Sequence, residues 1–132
     1  MSVAVEKSTR LKHSPDDMGA AALQAFFGIT DRWGLSANQQ QVLLGNPATS
    51  TFYKLRSDKK GRLSHDMLER ISYIMGIYKS LQILLPEDAA NEWVHKCNQA
   101  PLFGGSCALD KMLKGNVADL CDVRRYLDAE RG

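Results

Sequence analysis

Residues 36–62 read SANQQQVLLGNPATSTFYKLRSDKKGR. Ser36 suits a helix N-cap, because a short side-chain oxygen can accept from the orphan N–H groups of a first turn. It predicts a short helix Ala37–Leu44 with Val42, Leu43 and Leu44 turned inward, stopped by Gly45. Asn46-Pro47 makes the turn, since proline fixes φ and biases its neighbour away from the α region. A further helix follows from Ala48 to Ser57, with Ala48, Phe52 and Leu55 on one face at i, i+4 and i+7. Its opposite face carries Ser50, Tyr53, Lys54 and Ser57, flanked by Thr49, Thr51 and Arg56. A positioning helix, a tight turn and a second helix with a polar outer face form a helix-turn-helix, although the proline and the turn length depart from its tightest version. The hydroxyls of Thr49, Ser50 and Thr51 suit phosphate or base edges, and Tyr53, Lys54 and Arg56 add reach and charge. Lys59, Lys60 and Arg62 would lie near the phosphate backbone and supply salt-dependent attraction. The bland alternative is a three-helix core with an ordinary solvated face.

Working outward, Met18–Trp33 is predicted as a helix capped by Asp16 or Asp17 and ended by Gly34. Leu23, Phe26, Phe27 and the run Ile29–Trp33 give it a broad apolar face. Ser64 caps a long helix to about Leu85, with the stripe Met67/Leu68, Ile71, Ile74/Met75, Tyr78 and Leu81/Leu85. Pro86, Glu87 and Asp88 open a helix to about Cys97, with proline in its first turn and acids against its dipole. Asn98–Gly105 is an irregular elbow, Ser106–Leu113 a short helix ended by Gly115, and Asn116 caps a last helix, Val117 to about Glu130. The expected fold class is all-α, with five to seven helices and no sheet. A helix-turn-helix bundle (18–85) follows a flexible arm (1–17) and precedes a small helical domain (86–132).

Composition narrows the function classes. The chain has 132 residues, 44% hydrophobic and 24% charged, enough for one core or two small units sharing one. Residues 1–85 carry 11 Lys/Arg against 7 Asp/Glu, and residues 86–132 carry 6 against 8, so the basic excess lies with the helix-turn-helix. No apolar run nears the ~20 residues of a membrane span, and the polar start lacks a leader's apolar region, so a cytoplasmic chain is expected. Cys97, Cys107 and Cys121 are odd in number and form no CxxC pair, which points to three buried free thiols rather than a disulfide framework or zinc ribbon. The histidines are His13, His65 and His95. On one helix, His95 and Cys97 diverge by about 200° of rotation and cannot share a metal. No nucleophile–base set and no glycine-rich phosphate loop can be assembled by spacing. No catalytic residue, metal ligand or cofactor is expected.

The series Trp93-x4-Asn98-x2-Pro101-Leu102-Phe103-Gly104-Gly105-x3-Leu109-Asp110-x-Met112-Leu113-x-Gly115-x7-Val123-x2-Tyr126-Leu127-Asp128 resembles the toxin-binding domain of the Xre/MbcA/ParS antitoxin family. Residues 18–85 are similar to the Xre-like helix-turn-helix domain of the same antitoxins. Where many members hold a basic residue and then a proline after the glycine pair, this chain has Ser106 and Cys107-Ala108. The resemblance implies a type II toxin–antitoxin module. Its toxin would be a RES-domain protein, similar to ADP-ribosyltransferases and using NAD, whose NAD pocket the antitoxin blocks with its C-terminal region. It also implies binding to operator DNA, and a homodimer or a larger antitoxin–toxin assembly.

Under that resemblance the toxin-binding residues are Asn98, Phe103, Gly104, Gly105, Arg124, Arg125, Tyr126, Asp128, Arg131 and Gly132, with Trp93 a core anchor beneath the elbow. A charged tail containing an aromatic suits a polar nucleotide pocket, and its arginines suit toxin carboxylates. Two other readings use the same residues. One is a repressor whose C-terminal half only dimerises it, and the other a small enzyme using Cys97 or His95.

Overall fold

The computed structural model describes residues 15–132 and is all-α. Seven α-helices are present among the described residues: α1 (Pro15–Arg32), α2 (Ala37–Leu43), α3 (Thr49–Asp58), α4 (His65–Leu84), α5 (Glu87–Glu92), α6 (Ala108–Met112) and α7 (Val117–Arg131). A 3₁₀ turn, Trp93–His95, follows α5. Residues 1–14 of the expected arm lie outside the described residues. Helix α1 is already formed at Pro15, so Asp16 and Asp17 fall in its first turn instead of capping it.

Local signals set most of the other boundaries. Ser36 caps α2 through a reciprocal pair, its Oγ accepting from Gln39 N–H and Gln39 Oε1 accepting from Ser36 N–H at 2.9 Å. Ser64 Oγ accepts from Met67 N–H to start α4. Gly34, Gly45 and Gly115 stand at φ +71, +98 and +91, each just past a helix end. Asn116 holds the N-cap position of α7, but its side chain makes no capping bond there.

One core runs through both halves. Leu23, Phe26, Phe27, Trp33, Leu43, Leu44 and Phe52 meet Ile71, Ile74, Ile77 and Leu81 of α4, which in turn meet Leu120, Val123 and Leu127 of α7. Each such side chain contributes roughly 1.5–3 kcal/mol by leaving water. The long helix therefore needs apolar residues on two sides, which is why Ile77 is buried although it lies outside the expected stripe. Met75, expected in that stripe, is 43% exposed and lines a groove of about 640 Å³ between α1 and α4. Val42 is only half-buried, and Ala48 is exposed because it precedes the first turn of α3.

Two further expectations are corrected. The helix expected over residues 86–97 stops at Glu92 and tightens into the 3₁₀ turn, after which Lys96 is extended. The short helix expected from Ser106 begins at Ala108, because Cys107 pairs with Cys97 in an isolated antiparallel β-bridge. The cysteines are not the buried thiols expected: Cys97 is exposed, and Cys107 and, on α7, Cys121 are half-buried.

Candidate functional site

Two surfaces carry the candidate residues. The first is α3. Packing of Phe52 at its buried face, 6.0 Å from the Phe27 ring, sends the opposite face outward. Thr49, Ser50, Thr51, Tyr53, Lys54 and Arg56 are all exposed, with Tyr53 50% accessible. Lys60 and Arg62 are exposed beyond the helix end. Lys59 differs. It closes α3 in the left-handed region at φ +51, its Nζ donates to the Arg56 carbonyl at 3.0 Å, and it stands 5.8 Å over the Phe27 ring. Its charge serves the helix terminus as well as any partner.

Buried polar bonds that the apolar pattern did not reveal hold α3 in place. Gln40 is fully buried, and its Nε2 donates to Thr30 Oγ1 and to Asp31 Oδ1, both at 2.8 Å. Gln41 Nε2 donates to the Pro47 carbonyl at 2.7 Å and bridges the turn. These bonds fix α2 against α1 and aim the second helix of the motif.

The second surface joins the elbow to α7. Asn98 Oδ1 accepts from Ala100 N–H at 2.9 Å, and Gly105 N–H returns to the Asn98 carbonyl at 2.9 Å. Gly104 and Gly105 stand at φ +59 and +93, a left-handed region that favours glycine. The fold thereby turns Phe103 inward, to 7% exposure. Its ring meets Trp93 edge-on at 5.9 Å and Tyr126 at 5.2 Å, while Trp93 and Tyr126 stack at 6.3 Å. This trio brings Asn98, Phe103, Gly104 and Gly105 together with the last helix.

Further along α7 the charged residues divide. Arg125 and Gly132 are exposed. Arg124 lies across Gly76 of α4 and donates through Nε to Asp128 Oδ2 at 3.3 Å. Ser80 of α4, fully buried, donates to Asp128 Oδ1 at 3.3 Å and accepts from Arg131 Nη1 at 3.3 Å. Arg124, Asp128 and Arg131 thus form a pre-ordered charged cluster on α4. The serine at its base was not among the sequence candidates, because it belongs to a different helix.

At the start of α7, Lys111 Nζ reaches Asp119 at 3.1 Å and Asp122 at 3.3 Å. Burial alone would raise Asp119, but the Lys111 ammonium, together with Asn116 and the charge of Lys114, more than reverses it and holds the carboxyl below the ordinary value. Burial likewise opposes the charge on Lys111, and its two carboxylate partners outweigh that and raise it.

Both halves of the chain match known proteins. Residues 13–76 match the family described as the antitoxin Xre-like helix-turn-helix domain. Residues 80–132 match the antitoxin Xre/MbcA/ParS C-terminal toxin-binding domain. The chain belongs to the Xre/MbcA/ParS antitoxin family. It is similar to a protein of Sinorhizobium fredii described as "Uncharacterized protein y4oB", 49% identical over 113 residues and covering 85% of each chain. The antitoxin's two matched segments correspond to the two surfaces, α3 in the first and the elbow with α7 in the second. Among the described residues of the antitoxin, no helix is long and apolar enough to cross a membrane, and no group of three or more His, Cys, Asp or Glu could hold a metal ion.

Proposed function

We propose that this antitoxin neutralises a RES-domain, NAD-using toxin by covering its NAD pocket with the elbow and α7, and that it binds its operator through α3. The observation that carries the first part is the Trp93–Phe103–Tyr126 cluster, which fuses the elbow and the last helix into one rigid surface. Rigidity matters because a surface already ordered loses little entropy on docking. Arg125 and the tail at Gly132 project from that surface, and the Arg124–Asp128–Arg131 cluster supplies charge beside them. The operator reading is supported by the exposed polar face of α3 beside Lys60 and Arg62. A two-fold operator needs paired readers, and the apolar residues that α4 leaves outside, Met75 and Ile83, suit a contact between two copies. Domain limits at 18–85 and 86–132 belong to the same reading.

The test is co-purification with the product of the neighbouring gene, followed by NAD consumption by that partner alone and in complex. Removing 124–132 would also strip Tyr126 and Leu127 from the core, so Arg125→Glu is the cleaner probe. The expected result is a complex that silences the partner, weakened at least tenfold by Arg125→Glu with the melting temperature unchanged. A chain that binds DNA but no neighbouring product would favour the repressor reading.

A further inference from the structure

The elbow carries a pair of thiols that the function above leaves unused. Cys97 and Cys107 face each other across the isolated antiparallel bridge. The ladder bond there runs from Asn98 N–H to the Ser106 carbonyl at 3.0 Å, which places the cysteines in the non-hydrogen-bonded position. Residues so paired have Cα atoms about 4.5 Å apart and side chains on the same side. A disulfide needs Cα atoms roughly 4.4–6.8 Å apart, so the backbone already satisfies it at the short end. Both sulfurs are free thiols, one exposed and one half-buried against the core.

We propose that Cys97 and Cys107 form a reversible intrachain disulfide, a modification site that closes residues 98–106 into a covalent loop. The oxidant is a low-molecular-weight disulfide. The exposed Cys97 thiolate attacks one of its sulfurs and releases one thiolate, leaving a mixed disulfide. The Cys107 thiolate then attacks Cys97 Sγ, expels the second thiolate and completes the bond. Two protein thiols and one small disulfide become one protein disulfide and two small thiols, with the protons passing through solvent. Cys121, on α7 beside Tyr73, is no part of the bridge and serves as an internal control.

The test needs no toxin, so its outcome is separate from the reading of the elbow as a toxin contact. The reduced full chain is equilibrated with graded ratios of oxidised to reduced glutathione, alkylated and peptide-mapped. The expected result is loss of the Cys97 and Cys107 thiols together, a linked peptide pair with no glutathione retained, Cys121 still alkylated, and full recovery with dithiothreitol. Cys107→Ser should trap glutathione on Cys97. If the unaltered chain also keeps glutathione on Cys97 while Cys107 stays alkylatable, or if neither cysteine exchanges, the proposal is overturned.

Discussion

Arg70 Nη1 donates to the Gly115 carbonyl at 3.0 Å while its Nε is held by Asp66 at 2.8 Å, so one buried guanidinium ties the second turn of α4 to the turn that launches α7. The same group underlies the turn of the helix-turn-helix, since a Cβ at Gly45 would come within 3.0 Å of Arg70 Nε. Replacing it with Met strands the Gly115 carbonyl, while Asp66, whose side chain is 55% exposed, is left to water. The expected cost is about 1–3 kcal/mol, read as a lower urea midpoint. Arg70→Lys should recover only part of it, because an ammonium lacks the planar fork. An unchanged midpoint for Arg70→Met would remove this role.

The exposed face of α3 makes a separable prediction. Lys54→Ala with Arg56→Ala should weaken operator binding and flatten its salt dependence, by a slope of roughly 0.9 for each phosphate that is no longer neutralised. Both side chains are exposed, so stability should hold within about 0.5 kcal/mol, and toxin neutralisation should be unaffected. Fluorescence anisotropy on operator DNA at several salt concentrations measures it, and an unaltered slope would take α3 out of the interface.

Two helical glycines should respond in opposite ways to alanine. At Gly19 of α1 a Cβ would collide with the Gly61 carbonyl, a backbone atom with little freedom to retreat. Gly19→Ala should destabilise by roughly 1–3 kcal/mol. At Gly76 of α4 the obstacle is the end of the Arg124 side chain, which can swing away. Gly76→Ala should be neutral or stabilising by up to about 1 kcal/mol, while loosening Arg124 from Asp128. Thermal melts of the two variants decide it, and equal losses would contradict the distinction.

The ion cluster on α7 sets the pH response. Asp119 is held below its ordinary 3.8, so its share of stability is complete above that value and is lost as pH falls through the lowered one. Lys111 is raised above 10.5, so its share is complete below that value and fades only as pH climbs through the raised one. Stability from this pair should therefore be flat around neutrality and fall on the acid side below about pH 4. Asp119→Asn should shrink that acid fall in denaturation measured from about pH 2 to about pH 7. An acid limb of the same depth in the variant would assign it elsewhere.

What the sequence disclosed was what is decided within a turn or two of chain. Ser36, Gly34, Gly45, Ser64 and Gly115 mark element ends by their own chemistry, and the structure keeps every one. The outward face of α3 was legible for the same reason, since periodicity alone separates Phe52 from Tyr53 and Lys54. Gln40, Arg70 and Ser80 carry no signal in the local pattern, because their partners are 10, 45 and 48 residues away. The break of α5 at Glu92 and the Cys97–Cys107 bridge depend on how the elbow folds back, and no local period encodes that. Tyr126 and Phe103 are singled out by the resemblance, but their packing on Trp93 depends on how the elbow folds against α7.

Helix α4 gives one side to α1 and another to α7, with Ile71, Ile74, Ile77 and Leu81 buried among them. Its sequence therefore answers to two neighbours at once. A chimaera that grafts the first half of this chain onto the second half of a relative inherits an α4 fitted to only one of its companions. Changes of partner should therefore accumulate at outward positions such as Arg125, and exchange of whole halves should succeed only when α4 is recut to match both sides.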